Sequence, residues 1–355
     1  MRKIAVLPGD GVGPEVTEQA LLVLEAAKKK YHFEYSLEKG LIGGEAIDAT
    51  GEPFPAETKR LVLASDMVLL GAVGGPRWDG LPGELRPEKG LLEIRKTLGL
   101  YANLRPVRCW PQLLEQSPLK NEVINGVDLL VVRELSGGAY YGAKGTRTEG
   151  GEEQAFDTIE YSEKQIRRII KMAFELARKR RRRVTSVDKS NVMETSRLWR
   201  KIAQEEAHNY PEVSLNHLYV DNCAMQLCLK PAQFDVVVTE NMFGDILSDQ
   251  ASVLGASLGM LPSASLGDGP SLFEPAHGSA PDIAGQDKAN PLAAILSVAM
   301  MLRFSFNNGE AAGAVEKAVE TVLSSGLRTV DIYSAGTRIA GTRDMGRAVA
   351  KCLAS

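Results

Sequence analysis

Asp245 and Asp249 stand four residues apart in a segment that reads as the opening of a helix, with Gly244 just before them. Side chains at that spacing share one helix face. Two carboxylates there repel, at a cost of roughly 0.2–0.5 kcal/mol in an isolated helix. A hard divalent cation such as Mg²⁺ or Mn²⁺ takes oxygen ligands and would turn the repulsion into attraction. An Asp in a first turn can also simply cap the helix or meet the positive end of its dipole.

Other residues that could do chemistry lie at the ends of apolar runs. Lys189 ends a short strand-like run at 184–189, and a lysine there is a candidate base if it is desolvated or set near another cation. Asp221 ends a second such run at 214–220, so three carboxylates, Asp221, Asp245 and Asp249, sit at or just beyond strand ends. In open α/β sheets that edge is where ligands bind. Arg95, Arg105 and Arg133 are of the type that grips carboxylates in a planar, bidentate way, although Arg95 read alone is a solvated helix residue. Tyr140 and Tyr141 centre a Gly-rich loop at 136–142. In the loop 274–285, His277 could stack on or hydrogen-bond a base, and Asp282 could accept from a ribose hydroxyl.

The elements that must position these residues alternate. Strands are expected at 3–8, 32–38, 66–73, 127–135, 184–189, 214–220 and 235–239. Helices are expected from Pro14 to Lys30 and over 55–64, 86–96, 162–179, 195–208 and 222–230, with another starting at Asn290-Pro291. Strand–helix alternation implies a parallel sheet with helices on both faces. Residues 144–161 suggest a β-ribbon, and Ser162 is placed to cap the helix after it. The turn Gly9-Asp10-Gly11-Val12-Gly13-Pro14 fails the dinucleotide fingerprint, because Pro14 stands where its third glycine belongs. From Gly255 onward the chain turns Gly-, Ala- and Ser-rich, a plausible crossing between domains.

Composition narrows the class. The 355 residues suffice for about two domains. Apolar residues at 44% and charged residues at 25% are ordinary for a globular protein. A net charge of -3 gives no global attraction to nucleic acid or anionic membrane. The basic run at 178–183 could contact nucleic acid, but a solvated helix C-terminus accounts for it better. Four cysteines with no Cys-x-x-Cys pair fit a reducing compartment. No apolar run approaches the roughly 18 residues of a membrane span, and Met1 leads straight into a strand. A cytoplasmic enzyme, or one already trimmed, is the expectation.

Two motifs then carry a resemblance. Asn241-Met242-Phe243-Gly244-Asp245-Ile246-Leu247-Ser248-Asp249 is close to the signature of the β-decarboxylating dehydrogenases of the isocitrate/isopropylmalate type, and His277-Gly278-Ser279-Ala280-Pro281-Asp282-Ile283 resembles that family's cofactor loop. The similarity runs over essentially the whole chain. It implies a two-domain α/β fold that is not a classical Rossmann fold. The large domain would comprise 1–100 with 256–355, and the second domain 101–255, with a β-ribbon arm and the dimer interface.

It also implies a homodimer in which Asp245 and Asp249, joined by Asp221 of the other copy, hold Mg²⁺ or Mn²⁺. Arg95, Arg105 and Arg133 would clamp two substrate carboxylates, with Asp221 also at the substrate. Lys189 would be the base and Tyr140 the acid. Glu88, Leu91, Leu92 and Val192 match the positions that receive an isopropyl group. His277, Gly278, Ser279, Ala280, Pro281, Asp282, Ile283 and Asn290 would bind the cofactor, with Asp282-Ile283 matching the NAD-preferring pattern. The implied reaction is NAD-dependent oxidative decarboxylation of 3-isopropylmalate to 4-methyl-2-oxopentanoate and CO₂ in leucine biosynthesis. Homoisocitrate, isocitrate or tartrate/malate are the sibling substrates. No membrane or nucleic-acid partner is implied, and the run 178–183 belongs to no functional motif of the family.

Overall fold

The computed structural model describes residues 1–355, which divide into two compact units. The first comprises Met1–Leu100, Cys109–Pro118 and Ser252–Ser355. Its strands lie in the order Tyr35–Lys39, Arg2–Gly9, Met67–Ala72, Ser271–Pro275, Pro262–Gly267. The first four run parallel, and the last pair is antiparallel. Met67–Ala72 is buried along its whole length, as expected of a central parallel strand covered on both faces. Helix Leu292–Phe304 is apolar on every side and buried from Leu292 to Leu302. A helix of that composition belongs inside a core. It packs against Gly13–Tyr31 and Gly309–Ser324, and Thr342–Ala354 also lies on Gly13–Tyr31.

The second unit comprises Tyr101–Arg108 and Leu119–Ala251. Its strand order is Leu100–Arg108, Asp128–Glu134, Val236–Thr239, Arg183–Asp188, Ser214–Tyr219. Only the first pair is antiparallel. Helices Glu163–Arg178 and Glu194–Ala207 pack on each other. Ser162 caps the first of them, in a reciprocal box with Gln165. The ribbon is a hairpin of Lys144–Glu149 and Glu152–Asp157 that turns at Gly150 and Gly151, both at positive φ, and every residue of its strands is exposed. Two consecutive residues at positive φ are what a tight two-residue hairpin turn needs.

The sheets differ from the expectation of purely parallel strands. Leu100–Arg108, Pro262–Gly267 and Ser271–Pro275 were not legible as strands, because their buried positions include Asn103, Arg105, Ser263, Ser265 and Glu274. Residues 109–118, which the sequence boundaries assign to the second domain, belong to the first unit. Arg328 Nη2 donates to the Gln112 carbonyl at 2.8 Å, and Cys109 Sγ to the Leu254 carbonyl at 3.2 Å. All four cysteines are free. No helix is long and apolar enough to cross a membrane.

Candidate active site

In the second unit, helix Asn241–Ser252 starts directly after the end of strand Val236–Thr239 and carries Asp245 and Asp249. The neighbouring strands bring arginines to it. Arg105 Nη1 donates to Asp249 Oδ1 at 2.7 Å and to Ser248 Oγ at 2.7 Å, and its Nη2 lies 3.4 Å from Asp245 Oδ1. Arg133, buried at the end of Asp128–Glu134, pairs with Asp245 Oδ1 through Nη1. Its Nε donates to Asn241 Oδ1 at 2.9 Å. The repulsion expected between the two carboxylates is thus relieved by guanidinium groups. Tyr140 completes the cluster, its hydroxyl donating to Asp245 Oδ2 at 2.8 Å and its ring lying 5.5 Å from the Arg133 guanidinium carbon. Burial, reinforced by the Asp245 carboxylate, pushes the Tyr140 hydroxyl up to about 12. Such a phenol keeps its proton at neutral pH.

Lys189 and Asp221 form a separate pair, with Nζ to Oδ1 at 2.9 Å. Lys189 follows strand Arg183–Asp188 and Asp221 opens helix Val220–Leu229. The Lys189 ammonium holds the exposed Asp221 carboxyl below its usual range. Its Nζ also lies 5.9 Å from the ring centroid of Tyr219. No three His, Cys, Asp or Glu side chains of one chain gather into a metal site, so Asp221 does not join Asp245 and Asp249 within a single copy.

Those two carboxylates fit a hard divalent ion in donor chemistry. Both offer oxygens from one helix face, and their side chains remain 31% and 59% exposed while paired to arginine.

In the first unit, Arg95 lies on helix Pro87–Thr97, buried, with Nη2 donating to Glu274 Oε1 at 3.0 Å. It is therefore not the solvated residue that its helix alone suggests, and its Nε is buried without a partner. Leu91 and Leu92 are each half-buried, which fits neighbours that cannot both face one core. Glu88 is exposed, with a carboxylate oxygen only 2.9 Å from where a Cβ on Gly74 would lie. Val192 is 64% exposed.

The loop after strand Ser271–Pro275 presents His277, exposed Gly278, buried Ser279, half-buried Ala280, exposed Pro281 and Asp282, and half-buried Ile283. His277 Nδ1 lies 2.9 Å from the Gly278 carbonyl, which can only accept, so Nδ1 carries the proton. Nε2 is then a buried acceptor, and it has no partner. Burial holds His277 below its usual pKa, so the ring is neutral. An orphaned acceptor in a loop of small residues fits a cofactor that brings an amino donor, as an adenine does. Asn290 is buried; its amide donates to Asp331 Oδ2 at 3.0 Å, and its oxygen accepts from the Leu292 N–H at 3.0 Å.

The glycine turn after the first strand supports this loop. Val12 N donates to the Ser279 carbonyl at 2.8 Å, and a Cβ on Gly11 would lie 2.0 Å from that same oxygen. Glu15 accepts from the Gly285 N–H.

Several contributors were not singled out in the sequence, although Asn241 and Ser248 stand within the signature motif. Asp10, buried, accepts from the N–H groups of Gly44, Gly74 and Glu45, each at 2.8 Å, while burial raises its pKa. Glu274, Ser248 and Asn241 orient the three arginines. Only the recurrence of polar residues inside otherwise apolar runs could have pointed to them.

Three side chains of the basic run, Arg178, Arg180 and Arg181, are engaged inside the unit, while every residue of the run but Arg180 is exposed. Arg180 Nε donates to buried Asp235 at 2.8 Å and Nη2 to Asp128 Oδ1 at 2.8 Å, Arg181 reaches the Asp128 carbonyl at 2.8 Å, and Arg178 pairs with Glu212 at 2.8 Å. These three side chains clamp the turn after helix Glu163–Arg178.

Known proteins match this chain along its length. A family model described as isocitrate/isopropylmalate dehydrogenase matches residues 3–349. The chain is 60% identical over 345 residues to the 3-isopropylmalate dehydrogenase of Geobacillus kaustophilus (strain HTA426), covering 97% of this chain and 93% of that protein. It is 58% identical over 344 residues to the 3-isopropylmalate dehydrogenase of Aquifex aeolicus (strain VF5), covering 97% and 94%. The crystal structure of isocitrate dehydrogenase from Methylococcus capsulatus matches with a TM-score of 0.89 at 34% identity, covering 100% of both chains. With an α/β fold like theirs and the signature helix carrying its arginine-bound aspartates, the chain belongs to the isocitrate/isopropylmalate dehydrogenase family.

Proposed function

We propose that this enzyme oxidises and decarboxylates 3-isopropylmalate with NAD⁺ and a divalent metal. The observation that carries the reading is the cluster of Arg105, Arg133, Tyr140, Asp245 and Asp249 on adjacent strand ends and one helix. When bound, the ion and NAD⁺ would supply Lewis-acid polarisation of the C2 oxygen and the hydride acceptor. Asp245 and Asp249 would hold the ion, with Asp221 of a second copy. Arg95, Arg105 and Arg133 bind the two substrate carboxylates. Lys189 would take the C2 hydroxyl proton as the C2 hydride leaves, after its ammonium, here paired with Asp221, has lost a proton to solvent beside the added cation. After CO₂ departs, Tyr140 returns a proton to carbon, a role suited to a phenol that holds its proton at neutral pH. His277 Nε2 would accept from the adenine amino group, and Asp282 from a ribose hydroxyl.

A homodimer is part of this reading. Met225 and Leu229 on Val220–Leu229, and Ile246 on Asn241–Ser252, are each more than half exposed. The ribbon Lys144–Asp157 is a lone hairpin, an arrangement of marginal stability in water. A second copy that covers these surfaces would also bring its Lys189 and Asp221 to the site.

Leu91, Leu92 and Val192 favour an isopropyl group over the third carboxylate of isocitrate. Apolar packing of this kind discriminates by about 10–200-fold. Steady-state kinetics should therefore give 3-isopropylmalate a kcat/KM at least about tenfold above isocitrate, homoisocitrate, malate and tartrate. A higher value for any of the others would transfer the assignment to that acid.

A further inference from the structure

We infer that Asn241 is a positioning residue that aims Tyr140, by tying the Tyr140 loop to Arg133 and to the helix of the two aspartates. The inference rests on the reading of Tyr140 as the proton donor. Asn241 is fully buried at the start of helix Asn241–Ser252. Its side-chain oxygen accepts from Arg133 Nε at 2.9 Å, and its amide nitrogen donates to the Gly137 carbonyl at 3.0 Å. The amide has only one orientation open to it, because Arg Nε can only donate and a carbonyl can only accept.

The loop has anchors of its own in Glu134, which accepts from the Ser136 and Gly137 N–H groups at 2.9 Å each, and in the Glu160 carbonyl, which accepts from the Gly138 N–H at 3.1 Å, but none of these bonds reaches Arg133. Gly137 and Gly138 precede Tyr140 by three and two residues, and glycine gives the backbone little intrinsic preference. Further support comes from the helix start and Tyr161. Asn241 N–H donates to the Tyr161 hydroxyl at 3.0 Å, and that hydroxyl donates to buried Glu240 at 3.1 Å. A Cβ on Gly138 would lie 2.4 Å from the Tyr161 oxygen, so the loop rests directly on this pair. Glu240 in turn accepts from the Phe243 N–H at 2.7 Å, fastening the first turn of the helix. The Asn241 amide thus bonds at once to the Tyr140 loop and to Arg133, which pairs with the Asp245 carboxylate that receives the Tyr140 hydroxyl. A neutral, uncharged side chain suits the post, since it must accept from a cation and donate to a carbonyl at once.

Asn241→Asp separates the two bonds. A carboxylate still accepts from Arg133 but cannot donate to Gly137. Substrate KM should stay near the parent value while kcat falls about ten- to hundredfold, the scale of a misplaced reacting group.

The deciding measurement is a double-mutant cycle with Tyr140→Phe. If Asn241 acts through Tyr140, adding N241D to Y140F lowers kcat no further. Losses that multiply would overturn the inference and leave the Tyr140 assignment intact. A Y140F enzyme with parental kcat would contradict the proton-donor assignment itself, and this inference with it. Tyr161→Phe, which leaves Asn241 in place and removes the hydroxyl beneath it, gives a second cycle should N241D fold poorly. It is expected to show the same non-additivity with a smaller loss, and multiplicative losses there too would count against the inference.

Discussion

Lys189 and Asp221 show how pairing decides what a residue can do. Each alone is a common surface type, and both lie at strand ends 32 positions apart. Folding brings Nζ to 2.9 Å from the carboxylate, which orients the amine without burying it. Lys189→Met removes the proton acceptor while keeping much of the side-chain volume. Turnover should fall by about 10²–10⁴, the usual contribution of a positioned acid or base, with substrate KM little changed. Near-parental kcat in the methionine variant would show that another group takes the proton. At this scale the charged participants were legible in the sequence, because their types limit the chemistry open to them. Asn241, Ser248 and Glu274 were not, although the first two stand within the quoted signature. An uncharged or singly placed polar side chain gains its meaning only from the donor it faces.

Helix Asn241–Ser252 is the element on which the site is built, and Gly244 is its close-packed point. A Cβ there would lie 2.6 Å from Arg133 Cγ and 3.3 Å from Arg133 Cα. Helix propensity alone would reward Gly244→Ala by about 1 kcal/mol. Overpacking a buried contact costs typically 1–3 kcal/mol, and part of the obstacle here is backbone. The variant is expected to melt lower than the parent and to show a raised substrate KM, since Arg133 must shift. A higher melting temperature with unchanged KM would mean that the strand and helix stand further apart than described.

Elements with clean periodicity, such as the Ser162-capped helix Glu163–Arg178, were legible down to the capping residue. The strand Leu100–Arg108 was not, because Asn103 and Arg105 sit at buried positions where the alternation calls for apolar residues. The basic run lies at a helix end and is exposed at all positions but Arg180, as a solvated helix C-terminus should be, yet the pairing of Arg180 was not legible. Asp128 and Asp235, which engage Arg180, lie more than fifty residues away from it in either direction.

Across the molecule, a half-buried histidine whose ring nitrogens are shut off from water links stability to pH. His217, on strand Ser214–Tyr219, has both ring nitrogens buried without partners. Burial lowers its pKa, Arg200 nearby lowers it further, and Asp188 opposes them. The unfolded chain therefore takes up a proton near pH 6.5 that the folded chain refuses. This contribution is present above that pH and is lost as pH falls through about 6.5 toward the depressed folded value. Relative to a His217→Phe variant, the parent should lose melting temperature between pH 7.5 and 5.5. A constant difference across that range would show that His217 titrates alike in both states. Lowered folded pKa values do not arise from sequence pattern; they come from packing around a strand whose neighbours are fixed only by the whole fold.

The proposed reaction needs both an oxidant and a metal held by aspartates. NADH formation from 3-isopropylmalate, followed by absorbance with Mg²⁺ or Mn²⁺ present and again after chelation, tests it most directly. The expected result is NADH formation that depends on 3-isopropylmalate, is abolished by the chelator and is restored by added divalent ion. NADH formation undiminished by chelation, or no NADH at all from this substrate with metal present, would contradict it.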